Sequence, residues 1–321
     1  MTDTLQVQGE FAPADTSFAA DISVQSSPLD AVVAAAAEGD AAVTAEPNGF
    51  VELGLAPELV QAVADLGYTQ PTLVQEKVIP LALPTDDAAG KAYIDLMVSS
   101  QTGSGKTAAF LLPVLHTLLS QKAQAEAEER AAFERAVAEA EAKGEPAPKR
   151  PKRKDPTNTR NFKAATPGAL IVCPTRELAQ QVAHDAIGLV QHCRGLRIAN
   201  IVGGMPYQLQ IAKLQNANLV VATPGRLLDL QRSMQIKLDQ VQFLVVDEAD
   251  RMLDLGFSDD LAEINQLTID RKQTMMFSAT FAPRIQQLAM RVMHDGGSSV
   301  QKVTIDSPQE KHSNIKQVLY W

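Results

Sequence analysis

The sequence predicts an α/β fold in which a parallel β-sheet carries helices on both faces. Six short apolar runs, most of them separated by helical stretches, lie at residues 169–173, 197–202, 219–222, 243–246, 274–277 and 300–305. This alternation is typical of parallel strands joined by crossover helices. The apolar fraction of 45% is sufficient for a hydrophobic core. Because ligands of such sheets bind beyond the carboxyl ends of the strands, the residues that follow each run are the candidates for function.

A glycine-rich loop follows a further apolar run, residues 94–98, and precedes a helical pattern at residues 108–115. This order of strand, loop and helix is the context of a phosphate-binding loop. The loop consists of Ser100, Gln101, Thr102, Gly103, Ser104, Gly105, Lys106 and Thr107. Its backbone N–H groups would face phosphate oxygens, Lys106 would contact the β- and γ-phosphates, and the Thr107 hydroxyl would bind Mg²⁺. Ser100 replaces the first glycine of the strict pattern, so a glycine-rich turn without a ligand is the alternative.

Two carboxylates directly follow the predicted strand at residues 243–246. Asp247 is expected to hold the Mg²⁺ that Thr107 binds, and Glu248 is expected to orient or deprotonate the water that attacks ATP. The histidines and the two cysteines, Cys173 and Cys193, have no metal-ligand spacing. Mg²⁺ is therefore the one metal that the sequence predicts.

Charged residues are concentrated outside the predicted sheet. Residues 1–48 hold eight acidic and no basic residues in a chain of net charge −9, and they predict a disordered acidic tail. Residues 121–165 are a low-complexity charged insertion, which predicts a solvated, partly helical arm and a mobile segment. The basic run at 149–154 is either a solvated charge cluster or a loose RNA tether. Two cysteines and the lack of a long apolar segment predict a cytoplasmic protein without a membrane span.

Seven blocks of the sequence resemble, in order, the motifs of the DEAD-box RNA helicases. Asp247-Glu248-Ala249-Asp250 is the block that names this family, and the glycine-rich loop resembles its phosphate loop, with Ser100 where most members have Ala. The other blocks lie at residues 67–75, 174–179, 203–204, 223–226 and 278–280. The resemblance implies a RecA-like P-loop NTPase domain at residues 49–308. It also implies that residues 309–321 are a linker and the start of a second RecA-like domain, which would act in cis and is missing here.

The block at residues 67–75 resembles the segment with which this family reads adenine. Gln75 carries an amide donor and an acceptor, which suits the N6/N7 edge of the base, and Thr72 belongs to the same block. The resemblance implies that Phe50 stacks on the base and that Tyr68 packs in the domain. The alternative for Phe50 is a packing contact that holds the following helix.

The resemblance also implies contacts with RNA and a coupling block. Backbone N–H groups, hydroxyls and guanidinium groups at strand-to-helix turns would bind the sugar-phosphate backbone of single-stranded or duplex RNA at Thr175, Arg176, Gly204, Thr223, Gly225 and Arg226. For the two arginines, an ion pair within the domain is the alternative. Coupling of the ATP state to strand separation is implied for Asp250, Ser278, Ala279 and Thr280. For Ser278 and Thr280, a helix N-cap before Pro283 is the alternative.

Together these observations predict the ATP-binding N-terminal half of an ATP-dependent RNA helicase, a monomer that uses ATP and Mg²⁺. Because the second domain of this family contributes arginines that act on the γ-phosphate, this chain alone is expected to bind nucleotide and hydrolyse very little of it. Two other functions stay open: a nucleotide-gated RNA clamp or scaffold, and a phosphate-loop enzyme that acts on DNA or a small molecule. Lys106 and Glu248 favour an active enzyme, and Gln75 with Phe50 favours RNA.

Overall fold

The computed structural model describes residues 48–87, 90–146, 148–149 and 163–305. The predictions for the acidic tail up to residue 47, for most of the basic run and for residues 309–321 lie outside these ranges. Among the described residues, no helix has the length and the apolar character that crossing a membrane would require.

The predicted parallel sheet is present and has seven strands. They are β3 (Leu96–Ser99), β4 (Ala169–Val172), β5 (Ile198–Ile201), β6 (Leu219–Ala222), β7 (Phe243–Val246), β8 (Gln273–Ser278) and β9 (Gln301–Thr304). Their order across the sheet is β5-β6-β4-β7-β8-β3-β9, and all pairs are parallel. A separate antiparallel hairpin, β1 (Thr85–Asp87) and β2 (Gly90–Ala92), precedes the sheet in the chain and was not predicted from the sequence.

Nine α-helices lie within the described residues. They are α1 (Pro57–Asp65), α2 (Leu73–Ala82), α3 (Lys106–Lys143), α4 (Arg176–Leu189), α5 (Tyr207–Leu214), α6 (Pro224–Arg232), α7 (Ala249–Asp254), α8 (Ser258–Leu267) and α9 (Pro283–Val292). Two hydrophobic clusters show that helices cover both faces of the sheet. One cluster contains buried residues of α1 to α4, and the other contains buried residues of α5 to α9. The fold is therefore the predicted α/β fold, with strands buried on both sides.

Helix α3 continues far beyond the domain surface. It is 38 residues long, so it spans about 57 Å. Its first part is buried, whereas the Ala- and Glu-rich part from residue 123 is mostly exposed. The arm predicted to be partly helical is therefore helical throughout, because Ala, Glu, Lys and Arg favour helices and ion pairs such as Lys143–Glu139 (2.6 Å) lie one turn apart. The helix ends at Gly144, whose φ of 68° is left-handed.

Candidate nucleotide and RNA site

The order of the strands divides the predicted site into two groups of residues along one edge of the sheet. The carboxyl ends of β7, β8 and β3 are neighbours, and the two carboxylates, the coupling block and the glycine-rich loop follow them. The carboxyl ends of β5, β6 and β4 are also neighbours, and the residues predicted to contact RNA follow those strands. Both groups lie where parallel sheets bind ligands.

The glycine-rich loop has the left-handed backbone that its glycines permit. The φ angles are 77° at Gly103 and 84° at Gly105, and α3 begins at the next residue, Lys106. A Cβ added to Gly105 would lie 2.6 Å from Gln75 Nε2 and 2.9 Å from Thr72 Oγ1. Both the dihedral angle and the close approach of α2 therefore require glycine at this position. The N-terminus of α3, a favourable place for anions, faces the loop.

Lys106 joins the loop to the two carboxylates that follow β7. Its Nζ lies 2.9 Å from Asp247 Oδ1 and 3.5 Å from Glu248 Oε1. Asp247 is fully buried, and this burial raises the pKa of its carboxyl, although the charge of Lys106 acts in the opposite direction. Glu248 is partly exposed and points a second oxygen toward Arg251 at 3.7 Å. The three residues predicted to be catalytic are thus in direct contact.

Glu248 has a backbone conformation that few side chains adopt. Its φ of 49° is left-handed, and its N–H donates to Asp247 Oδ1 at 2.9 Å. A residue other than glycine in this region costs on the order of 1 kcal/mol. Such strain concentrates at functional sites. Here it lies at the residue predicted to act on water, immediately before α7.

The polar atoms around the loop fit a nucleotide with Mg²⁺. Four buried side-chain oxygens in this region have no hydrogen-bond partner, and they are Ser100 Oγ, Ser104 Oγ, Asp247 Oδ2 and Ser278 Oγ. Buried polar atoms normally have partners, so their concentration beside a phosphate-binding loop indicates a polar ligand. Within the described part of the chain, no group of three or more His, Cys, Asp or Glu side chains could hold a metal. A magnesium ion held by Asp247, Thr107 and phosphate oxygens does not need one.

Gln75 contacts the loop within the protein itself. Its side chain is 2% exposed, its Nε2 donates to the Gly105 carbonyl at 3.0 Å, and its Oε1 accepts from the Thr72 N–H at 2.9 Å. The second contact is half of a capping box at the start of α2. Each amide atom has capacity for one more hydrogen bond, so contact with adenine stays a prediction. The link from α2 to the loop was not predicted.

The burial of Phe50 and Tyr68 is the opposite of that expected for their roles. Phe50 is 1% exposed and belongs to the hydrophobic core, so no ring face is open to a base. The packing alternative fits this buried ring, and stacking of Phe50 on adenine stays a prediction. Asn48 Oδ1 accepts from the Phe50 N–H at 3.0 Å at the start of the short turn Val51–Leu53. Tyr68, expected to pack, is 40% exposed.

The residues predicted to contact RNA converge at the ends of β4, β5 and β6. Thr175 and Thr223 are the N-caps of α4 and α6, and the Thr175 hydroxyl accepts from the Leu178 N–H. A Cβ on Gly204, whose φ is 76°, would lie 2.5 Å from Arg176 Nη1. The Arg176 guanidinium therefore lies against the Gly204 backbone.

Arg226, in the first turn of α6, donates from Nη1 to the Met205 carbonyl at 3.3 Å. Gly225 beside it is exposed. Among the ion pairs of the described residues, none includes Arg176 or Arg226. Within the described ranges neither arginine forms the ion pair given as the alternative, and contact of both with RNA stays a prediction.

The helix-cap alternative for the coupling block is wrong, whereas its coupling role stays a prediction. The N-cap of α9 is Ala282, so neither Ser278 nor Thr280 caps that helix. Ser278 is buried, whereas Ala279 and Thr280 are exposed. An unpredicted contact instead holds the block: Ser99 Oγ donates to the Ala279 carbonyl at 3.1 Å. The register that pairs Ser99 with Ser278 brings these groups together, and sequence alone does not give that register.

The sequence predicts no metal-ligand role for the cysteines and histidines, and two of them illustrate what they do instead. Cys173 is buried, and burial raises the pKa of its thiol well above the usual range, with a further contribution from Asp247. His192, in the turn after α4, pairs through Nε2 with Asp65 at the end of α1 at 2.5 Å. Both observations agree with packing or surface roles.

Comparison with known proteins gives one family. A model of the DEAD/DEAH box helicases matches residues 72–288. The chain is 37% identical over 290 residues to a DEAD-box ATP-dependent RNA helicase 52A of Oryza sativa subsp. japonica, covering 85% of this chain and 42% of that protein. It is 34% identical over 275 residues to an ATP-dependent RNA helicase RhlB of Pseudomonas syringae pv. tomato, covering 84% and 57%. The chain spans about half the length of these curated relatives.

Solved structures give the same result. A DEAD box protein from Methanococcus jannaschii is similar with a TM-score of 0.58 and 30% identity, covering 84% of this chain and 58% of that one. A hypothetical ATP-dependent RNA helicase from Sulfolobus tokodaii is similar with a TM-score of 0.56 and 30% identity, covering 77% and 56%.

Proposed function

The chain belongs to the DEAD-box RNA helicase family, as an N-terminal helicase domain, and from this premise we propose that it binds ATP and RNA on separate halves of one sheet edge. In a two-domain protein it would couple ATP hydrolysis to the unwinding or remodelling of RNA. The observation that carries the proposal is the contact of Lys106 with Asp247 and Glu248 beside a loop whose neighbouring polar atoms lack partners.

On the nucleotide side, each residue has a distinct task. Lys106 exchanges its carboxylate partners for the β- and γ-phosphates, and the N–H groups of residues 101–105 bind phosphate oxygens. Glu248 orients the attacking water and accepts its proton. When bound, Mg²⁺ would be held by Asp247 and Thr107 and would neutralise phosphate charge. The partly exposed position of Glu248 suits contact with water, and the buried position of Asp247 suits a fixed ligand.

On the RNA side, the available groups favour the sugar-phosphate backbone over the bases. Two helix N-termini, two threonines and two arginines meet at the ends of β4, β5 and β6, and no described carboxylate pairs with either arginine. Such groups bind phosphates without reading sequence. We infer that this domain binds RNA of any sequence. We also infer that it acts in the cytoplasm as a monomer. A second RecA-like domain would supply the remaining contacts and the arginines that act on the γ-phosphate.

A nucleotide-gated clamp or scaffold is the alternative function, and hydrolysis separates the two. The test is ATP turnover by this chain alone and by the chain joined to a second RecA-like domain, each with RNA, with DNA and without nucleic acid. The proposal predicts almost no turnover by the chain alone and RNA-stimulated turnover by the two-domain protein. Stimulation by DNA alone would contradict an RNA function, and RNA-dependent ATP binding without hydrolysis would favour the clamp.

A further inference from the structure

Tyr207 lies beside the residues proposed to bind RNA, although no sequence motif includes it. It begins α5, three residues after Gly204, and its side chain is 36% exposed. Its ring lies under the Arg226 guanidinium, with 5.8 Å from Cζ to the ring centroid. Its hydroxyl is hydrogen-bonded to Ser233 Oγ. One side chain thus contacts both ends of α6.

The geometry of α6 makes these two contacts compatible. Arg226 and Ser233 are seven residues apart, so they lie on the same face of the helix, two turns from each other. Ser233 is the C-cap of α6, and its hydroxyl also lies 3.0 Å from the Asp229 carbonyl and 3.2 Å from that of Leu230. The Tyr207 hydroxyl is therefore anchored at the far end of the helix, which fixes the ring beneath the guanidinium.

Arg226 is held by two neutral groups, and no carboxylate of the described residues pairs with it. Besides the ring, its Nη1 donates to the Met205 carbonyl at 3.3 Å. An ion pair would reduce the positive charge available to a phosphate, whereas a ring face and a carbonyl leave that charge intact. They also restrict a side chain that would otherwise lose considerable rotamer freedom on binding.

We propose that Tyr207 is a positioning residue that holds Arg226 ready for an RNA phosphate, a role that rests on the proposed RNA binding at this edge. The ring orders the guanidinium before RNA arrives, so that binding costs less conformational entropy. Tyr207 touches RNA only through Arg226. Removing the ring therefore weakens binding only when Arg226 is present.

The test measures the affinity of this chain for a fluorescent single-stranded RNA by anisotropy, over a series of salt concentrations. Tyr207→Ala is expected to weaken binding about two- to fivefold, the range typical of an exposed cation–π contact. Tyr207→Phe keeps the ring but loses the hydroxyl anchor at Ser233, so its affinity is expected to lie between those of the parent and of Tyr207→Ala. Arg226→Ala should reduce the slope of log affinity against log salt by about 0.7, because one phosphate contact is lost. Adding Tyr207→Ala to Arg226→Ala should cause no further loss.

Leu209→Ala, on the same helix and 56% exposed, is the matched control and should leave RNA affinity unchanged. Circular dichroism of each variant verifies folding. If Tyr207→Ala also unfolds α5, Tyr207→Phe and Tyr207→Leu still separate a ring contact from apolar packing, since the Phe variant should bind RNA more tightly than the Leu variant. Additive losses in the double variant would overturn the proposal.

A second RNA with abasic sites distinguishes positioning from stacking. If Tyr207→Ala weakens binding of normal RNA and leaves binding of abasic RNA unchanged, Tyr207 contacts bases and the positioning role is overturned. If Arg226→Ala itself has no effect, the proposed RNA contact of Arg226 fails, and the inference fails with it. If only Tyr207→Ala has no effect, the positioning role fails and the proposed function stands.

Discussion

Replacement of Gln75 tests whether α2 holds the phosphate loop. Gln75→Met removes both hydrogen bonds at nearly constant volume. Gln75→Glu keeps the acceptor for the Thr72 N–H but places a carboxylate oxygen against the Gly105 carbonyl. The two variants therefore separate the capping contact from the loop contact.

The expected magnitudes follow from these two bonds. The capping contact contributes about 1 kcal/mol, and so does the neutral bond to the loop. The free energy of unfolding should thus fall by about 2 kcal/mol in Gln75→Met, and by more in Gln75→Glu, because burial of its carboxylate against the Gly105 carbonyl adds a desolvation cost. Nucleotide affinity should fall about fivefold in both variants, because each loses the hydrogen bond that stabilises the binding conformation of the loop by about 1 kcal/mol.

The assay combines urea unfolding with calorimetric binding of Mg·ADP and of Mg·triphosphate, which has no base. If Gln75 holds the loop, both ligands should lose affinity in both variants. Unchanged triphosphate affinity with weakened ADP binding would refute this reasoning and favour direct contact with adenine. Parental ADP affinity in Gln75→Glu would show that nucleotide binding depends only on the hydrogen bond between the Thr72 N–H and residue 75.

Three further predictions concern the buried end of the site. Lys106→Ala should abolish nucleotide binding by calorimetry and also destabilise the fold by about 3 kcal/mol, because the buried Asp247 loses its cation. Adding Asp247→Asn should recover stability and leave binding absent. A parental affinity in Lys106→Ala would contradict the phosphate-binding role of Lys106. Burial raises the pKa of Asp247, and Mg²⁺ needs the ionised carboxylate. On acidification, Mg²⁺-dependent nucleotide affinity should therefore begin to fall at a higher pH than an exposed aspartate would give. A pH titration of this affinity, with Glu248→Gln as the control, checks the prediction, and an affinity that does not change on acidification would refute it. Because Cys173 is buried and its thiol has a raised pKa, its alkylation should be slow in the native chain and fast in urea. Mass spectrometry measures the alkylation rate, and rapid labelling of the native chain would show that β4 opens at its end.

Local sequence patterns predict much of the fold and of the nucleotide site. Apolar runs mark the strands because strands of a parallel sheet are buried on both faces, and glycines mark the loop because its backbone is left-handed. The contact of Lys106 with Asp247 follows from placing both after strands of one sheet, even though β8 lies between those strands.

The features that the sequence did not predict depend on tertiary geometry. The burial of Phe50 depends on a hydrophobic core built from several helices and strands, and the contact of Ser99 with Ala279 depends on strand register. The contact of Tyr207 with Arg226 joins residues on different helices that no short pattern connects. In each case the deciding partner is distant in sequence or is a backbone atom.

The most direct test of two separate binding regions on one sheet edge is hydrogen exchange of this chain with each ligand alone. Mg·ADP should protect backbone amides at residues 101–107 and 247–249, and single-stranded RNA should protect those at 175–178, 203–207 and 223–227. These are the segments that follow β3 and β7 and those that follow β4, β5 and β6. Protection of the same segments by both ligands, or none at 101–107 with Mg·ADP, would contradict the account.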